Sequence, residues 1–499
     1  MSGPSASNSI SGFSPNCDEL LALIVSSAGS PQEVFQRRLL PQLKAANTQL
    51  FLLSTSEGKD PLTILDPQKN TIGYLYFITT RVLVERPSNV LGLIQHLVNF
   101  INNFDPDEAR LAADRFSAIP EALNRLASLV GKVDIAVYLR NYCFMFTLHT
   151  PILAIRPLSI AVQRFAPTSV HLTTLHAKFI KTCILYKHYK DALAVLDNDI
   201  EEVDAQKLSV TIEDVLLYHY YGGMVYIGMK QFERALEFFS LVRAISAPAQ
   251  AASAIQIEAY KKYVLVSLLV HGKADPVLTI KPYLGIRSTQ LYPLPKYTAA
   301  VVLRVFKNTH VAYLDLAHAF ESVNVTRVKN EFAKATELLT KDKNLGLARQ
   351  VLQALYRRNI QQLTQTYMTL SLADIAKQVG LEGPKAPSEA EDFLVQMIES
   401  GQIFASISHA HSQGGGMVSF HDNPDRHNTV LTLTELDARI ERAAAVAERV
   451  AKLDRGIGLS KEFLNRSSHA SAGSTPINNM NFGADDADYG FDDDGRYFG

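Results

Sequence analysis

The sequence predicts an almost entirely α-helical protein: a helical-repeat, tetratricopeptide-like solenoid leading into a winged helix with a small β wing, then one long C-terminal helix. Three observations carry that prediction. The proline-free intervals 168–247 and 296–383 are rich in Leu, Ala, Lys, Glu and Gln, the straight-chain helix formers. Alternation of apolar and polar side chains, the mark of a half-buried strand, is nearly absent before Ala405. Two short runs around and beyond that point, "QIFASIS" and "GMVSF", are the only convincing hairpin strands.

Bulk properties bound the rest. A chain of 499 residues has room for several domains, and 47% hydrophobic with 20% charged residues is ordinary for a well-packed soluble protein. A net charge of −1 provides no global field for nucleic acid or an anionic membrane. Cys17, Cys143 and Cys183 are odd in number and lack metal-ligand spacing, which fits a reducing compartment. The opening "MSGPSASNSISGFSPN" has neither the basic start nor the apolar core of a secretory signal, and residues 1–16 are expected to be disordered. "YLYFITTRVLV" is interrupted by Thr79, Thr80 and Arg81, so no membrane span is expected. The tripeptides "NVT" and "NRS" fit the glycosylation pattern but mean little without a secretory route.

Residues 17–215 are expected to form N-terminal helical repeats. The clearest unit lies just beyond this stretch. "LYHYYGGMVYIGMKQFERALEFFSLVRA" offers Gly222 and Gly223, Tyr226, a turn near Gly228, then Ala235 and Phe239. Small, aromatic, turn, small, aromatic is the pattern of a tetratricopeptide-like hairpin, in which the glycines admit a neighbouring helix and Phe239 fills the gap. Forty-three residues earlier, "HAKFIKTCILYKHYKDALAVLDNDI" puts Ala192 and Leu196 in the places of Ala235 and Phe239. An irregular helical bundle is the competing reading of this loose repeat. Residues 216–366 continue as helices; "NLGLARQVLQALYRRNIQQL" sets Leu345, Ala348, Leu352, Leu355 and Tyr356 on one face.

Residues 367–425 read as the winged helix. Ser371 caps a first helix with Asp374 three residues on; Leu372, Ile375, Ala376 and Val379 form its buried face, and Gly380 suits the left-handed terminal position. "SEAEDFLVQMIESG" reads as the second helix, opened after Pro387 with a capping box from Ser388 to Glu391. The strands follow, joined by "HAHSQGG". From Thr429 to Leu464 comes one long helix, within a segment 426–465, and its Leu433, Leu436, Ile440, Ala443, Ala447 and Val450 recur at 3-4 spacing, a narrow stripe for partner helices. The acidic remainder, 466–499, ending "DDADYGFDDDGRYFG", is expected to be disordered or to serve as a short docking peptide.

Chemistry is sparse. A helix that read a DNA groove would need Arg, Lys, Asn or Gln facing bases and phosphates, whereas 388–400 carries Glu389, Glu391, Asp392 and Glu399 and neither Lys nor Arg. Protein docking is the better account of that helix. His409, His411, Ser419 and Asp422 in "HAHSQGGGMVSFHD" match the spacing of the zinc site in isopeptidases that remove ubiquitin-like modifiers, and two imidazoles with a carboxylate would leave a water position open. Against this, Ser412 replaces the proline that normally follows, the residues sit on one glycine-rich hairpin, and no upstream element offers an obvious general-base Glu. The G-x-S-x-G elbow, the P-loop and the G-x-G-x-x-G loop are all missing, and "YHYYGG" reads as helix-hairpin core. No catalytic residue, metal ligand or cofactor is expected; the candidate protein-interaction residues are Phe404, Ile407, Val418 and Phe420 of the wing with the six of the C-terminal stripe.

Stacked helices running into a winged helix resemble the PCI domain, shared by subunits of the proteasome lid, the signalosome and translation initiation factors. The strings "YHYYGGMVYIGMKQFERALEFF", "EAYKKYVLVSLLVHGK", "DKNLGLARQVLQALYRRNIQQLTQTYMTLSLADIA" and "ESGQIFASIS…GMVSFHDNPD" narrow this to a resemblance with the third-subunit family of the constitutive photomorphogenesis 9 signalosome, over roughly residues 175–425. That resemblance implies a PCI domain at 216–425, with 216–366 its helical part and 367–425 its winged helix. It further implies a scaffold without catalysis, in a complex that removes a ubiquitin-like modifier from cullins and so regulates cullin-RING ubiquitin ligases, in cytoplasm and nucleus. Partners would be the other PCI and zinc-isopeptidase-type subunits, met by edge pairing of wings and by a shared helical bundle, with no direct nucleic acid or membrane contact. A lid or initiation-factor subunit would share the architecture with other partners, and an isopeptidase would rest on the His-x-His pattern alone.

Overall fold

A computed structural model describes residues 17–29, 31–56, 58–84, 90–130, 152–244, 253–272, 311–381, 383–409, 416–421 and 430–461. Residues 1–16, Cys143, His411, Asp422 and the acidic tail, on which several expectations fell, lie outside them. The chain divides into two compact units, Met1–Ile403 with Ile407–Ser419, and Phe404–Ser406 with Phe420–Gly499.

The first unit opens with α1 (Cys17–Ser26), α2 (Thr71–Val84), α3 (Val90–Asn103), α4 (Ile119–Val130) and α5 (Ile152–Phe165). Aromatic rings bind α2, α3 and α5. Tyr74 stacks on Phe100 at 5.4 Å, Phe100 meets Phe104 at 5.7 Å, Phe104 meets Phe116 at 5.0 Å, and Phe116 stacks on Phe165 at 4.4 Å. The polar residues inside "YLYFITTRVLV" have partners in this core: Thr79 Oγ1 donates to Leu75 O at 2.6 Å and accepts from Arg115 Nε at 2.9 Å. Among the described residues, no helix is long and apolar enough to cross a membrane.

Two hairpins follow: α6 (Thr174–Leu185) with α7 (Tyr189–Leu196), and α8 (Ile212–Gly228) with α9 (Phe232–Ala244). The glycines act as the sequence suggests. A Cβ on Gly222 would lie 2.6 Å from the Phe238 ring, and one on Gly223 would lie 2.7 Å from the Phe239 ring. Ala192, Leu196, Ala235 and Phe239 are all buried. The second hairpin turns near Gly228 as expected: that glycine is the last helical residue, packed against the Tyr189 ring, and Lys230, φ 60°, makes the turn, where Gln231 N–H donates to Tyr226 O at 2.9 Å. Lys187, φ 60°, closes the first hairpin in the same way, with His188 N–H donating to Cys183 O at 2.9 Å. This 6→1 closure satisfies carbonyls at the helix end that would otherwise lack donors.

The unit continues with α10 (Ala254–His271), α11 (Val311–Glu321), α12 (Val325–Lys341) and α13 (Leu345–Thr366). The buried face of α13 is centred on Leu347, Ala348, Val351, Leu355, Tyr356 and Ile360, so Leu345 and Leu352 stand at its half-buried margin. Lys343, φ 57°, makes the α12–α13 turn, and Asn344 N–H donates to Leu339 O at 2.8 Å.

The winged helix comprises β1 (Thr369–Ser371), α14 (Leu372–Val379), α15 (Ala386–Glu399), β2 (Ala405–Ser408) and β3 (Met417–Phe420). Ser371 caps α14 by accepting from Asp374 N–H at 3.1 Å, and Gly380 ends it at φ 81°. Two expectations change. The α15 helix begins at Ala386, with Pro387 in its first turn and no side-chain cap, so Ser388 lies inside the helix rather than capping it. The wing is a three-stranded sheet, not a two-stranded hairpin: Thr369–Ser371 pairs antiparallel with Ser419–Met417. Three residues are too few to show alternation, which is why β1 carried no signal.

The second unit holds α16 (Val430–Gly458), a helix of 29 residues lying within the expected 429–464.

Candidate assembly surfaces

The sheet order is β1-β3-β2, so β2 is an edge strand among the described residues. Its backbone groups on the side away from β3 are a template for another strand. Side chains in β3 alternate with the pleat: Val418 is fully buried and Phe420 is 8% exposed. Of the four wing residues expected to meet partners, Val418 and Phe420 therefore belong to the protein's own core. Phe404 is 39% exposed and Ile407 half-buried, and these two remain available at the edge. Met417, Met368 and Tyr367 are also exposed apolar residues of this region; they escaped notice because they interrupt no pattern.

The exposed Glu389, Asp392 and Glu399 mark α15 as acidic, and the described helix holds neither Lys nor Arg. Phosphates would meet repulsion there. Glu391 Oε1 lies 3.1 Å from His409 Nε2, which fastens the end of β2 to α15. Of the other residues in the zinc-like pattern, Ser419 sits in β3 opposite Thr369, while His411 and Asp422 fall outside the described residues. Among the described residues no three His, Cys, Asp or Glu side chains are grouped to hold a metal ion. Beside the wing, His421 Nε2 lies 3.0 Å from Ser406 Oγ, and His421 N–H donates to Phe404 O at 2.8 Å.

Along α16 every residue from Leu433 to Ile457 is exposed. Leu433, Leu436, Ile440 and Val450 are 52–58% exposed, with the small Ala443 and Ala447 between them. The stripe runs further than its first six residues suggest: Ile457 extends it by two turns, and Val446 and Leu453 widen it. Asp454 occupies the 3-4 position after Val450 and hid that continuation. Arg439, Glu441, Arg442, Glu448 and Arg449 cover the other faces. An apolar stripe along a 29-residue helix stabilises it further when partner helices cover the stripe.

Comparison with known proteins agrees with this geometry. The family model for "COP9 signalosome complex subunit 3, N-terminal helical repeats" matches residues 37–284, and the PCI domain model matches residues 325–422, from the start of α12 through the wing. COP9 signalosome complex subunit 3 of Arabidopsis thaliana is 32% identical over 406 residues, covering 81% of this chain and 82% of its own. The protein of the same name from Dictyostelium discoideum is 32% identical over 408 residues, covering 81% and 86%. Both relatives are named as subunits of a complex. Helical repeats, a PCI winged helix and that level of identity place the chain in the COP9 signalosome subunit 3 family, as a scaffold-type subunit.

Proposed function

We propose that this chain is a non-catalytic scaffold of a signalosome that removes a ubiquitin-like modifier from cullins, so that it acts on cullin-RING ubiquitin ligases only through the assembled complex. Its direct partners are the PCI and zinc-isopeptidase-type subunits, met in cytoplasm and nucleus. The reading rests above all on the uncovered apolar stripe of α16. The free edge of β2, flanked by Phe404 and Ile407, supports wing-to-wing pairing as a second contact. The working division is repeats at 17–215, PCI domain at 216–425 and bundle helix at 426–465.

The test replaces Leu436 and Ile440 together by Asp in the tagged full-length chain. Each side chain is a little over half exposed, so covering the rest stabilises by about 1 kcal/mol apiece, and burying a carboxylate instead adds a larger penalty. Circular dichroism should be unchanged while co-purification of the other subunits falls by tenfold or more, about 1.4 kcal/mol. Undiminished incorporation would show that α16 is not a principal docking element. For catalysis, His409→Ala should leave both the zinc content and the cullin-deneddylating rate of the assembled complex unchanged, because His409 is engaged by Glu391.

A further inference from the structure

A ring of polar contacts, closed by Lys262 Nζ to Glu258 Oε2 at 4.0 Å, lies where α8 and α10 meet α11 and the α12–α13 turn. Lys261 and Lys262 of α10 are only 5% and 8% exposed. Lys261 Nζ donates to Glu258 Oε1 at 2.7 Å and to Asp342 Oδ2 at 2.9 Å. Tyr313 O–H, from α11, donates to the same Asp342 oxygen at 2.9 Å and accepts from Asn344 Nδ2 at 3.0 Å. Asn344 Oδ1 in turn accepts from Lys262 Nζ at 3.0 Å, and that ammonium lies 5.5 Å from the centre of the Tyr220 ring on α8. Two cations and two carboxylates thus join α8, α10, α11 and the α12–α13 turn. Glu258 stands at the rim and Asp342 inside.

Burial presses the Lys262 ammonium below the usual lysine range. For Lys261, burial is the largest single influence and lowers, but hydrogen bonding and charge attraction from Glu258 and Asp342 together outweigh it, and the net direction is upward. A buried ionic network adds little stability over well-packed apolar side chains, because desolvation offsets the attraction. What it adds is geometry: one relative placement of the helices satisfies all of these donors and acceptors, and a slipped placement strands a buried charge. A separate clasp joins the same helices, since Arg358 of α13 donates to Gly272 O at the C-terminus of α10, where a cation also complements the helix dipole.

We propose that the Glu258, Lys261, Lys262, Asp342, Tyr313 and Asn344 network is a register lock that holds α11–α13 in a single placement against α8 and α10. It is a conformational device independent of the assembly reading above. Its signature is loss of local uniqueness rather than of overall stability.

The test is hydrogen–deuterium exchange, with urea unfolding in parallel, on the full-length chain. Tyr313→Phe removes one hydroxyl and no volume of consequence. It should speed exchange of α11–α13 amides by roughly tenfold while leaving α2–α5 unchanged. Asn344→Leu leaves Lys262 only the 4.0 Å contact to Glu258 Oε2 and the Tyr220 ring, and should also lower the urea midpoint. Adding Lys262→Met to Asn344→Leu should restore the midpoint but not the slow exchange of α11–α13. Wild-type exchange in Tyr313→Phe, or recovery of both midpoint and exchange in the double variant, would overturn the lock. Equal acceleration in α2–α5 would overturn it too, by showing a general loss of stability.

Discussion

Gly223→Ala tests the close approach of α8 and α9. The new Cβ would stand 2.7 Å from two atoms of the Phe239 ring and 3.0 Å from a third. Ordinary carbon contacts are about 3.5–4.0 Å, so the ring must retreat by about 1 Å. It has nowhere to go, being fully buried with Tyr220 beside it. Overpacking of this kind costs about 1–3 kcal/mol. Alanine recovers about 1 kcal/mol through its better helix propensity, which leaves a net loss of up to about 2 kcal/mol. In a Phe239→Leu background the ring edge is gone, and the same Gly223→Ala change should stabilise by up to about 1 kcal/mol. The assay is amide exchange in α8 and α9 across the four chains of the cycle, read beside urea midpoints. A reversal of sign between backgrounds is the expected result. Equal effects in both, within the roughly 0.5 kcal/mol that additivity allows, would refute the claim that Gly223 is small because Phe239 is there.

His176, buried at the start of α6, is pushed down to about 4 by burial, and its Nδ1 accepts from Thr173 N–H at 3.1 Å. Unfolded, it would titrate near 6.5, so between those values the unfolded chain binds more protons and stability falls as pH falls, by about 3 kcal/mol at most. Urea midpoints from pH 7 to 4 should slope less in His176→Asn, and an unchanged slope would contradict this. Glu108 works in the opposite direction: burial, then Asp105, push it up to about 7, so its contribution is lost as pH rises from about 4.5 to 7, and Glu108→Gln should flatten that limb. Ser371→Ala should cost about 1 kcal/mol, seen as faster exchange confined to α14, since the Asp374 N–H loses its acceptor.

Where side-chain chemistry is local, the fold was legible from residues alone. Ser371 and Gly380 bracket α14 because a hydroxyl cap and a left-handed glycine act within one turn. Gly222, Gly223 and Phe239 announced the hairpin because close packing needs small residues opposite rings. The turn near Gly228 was legible, but its left-handed residue was not: Lys187, Lys230 and Lys343 take that conformation, and lysine carries no turn signal. β1 was missed because its register comes from β3, nearly fifty residues away. In the wing, hydrophobicity marked Val418 and Phe420 as it marked Phe404 and Ile407, and only the pleat decides which pair faces inward. The α16 stripe was readable from period alone. The Lys261–Asn344 network was not, because its members are scattered over 258–344 and each resembles an ordinary surface residue.

The column of rings from Tyr74 to Phe165 bears on how the chain is made. A hairpin such as α6–α7 can close as soon as its own two dozen residues exist, since its contacts are local. The N-terminal helices cannot finish so early: Phe116 meets Phe104 and Phe100 at once, but its face-to-face partner Phe165 is synthesised nearly fifty residues later. During translation the first helices must wait with aromatic surface uncovered, in the state most open to aggregation and to chaperones. Once Phe165 arrives, α2, α3 and α5 close together, so this end of the molecule should gain and lose structure as one cooperative block while the repeats beyond it do so hairpin by hairpin.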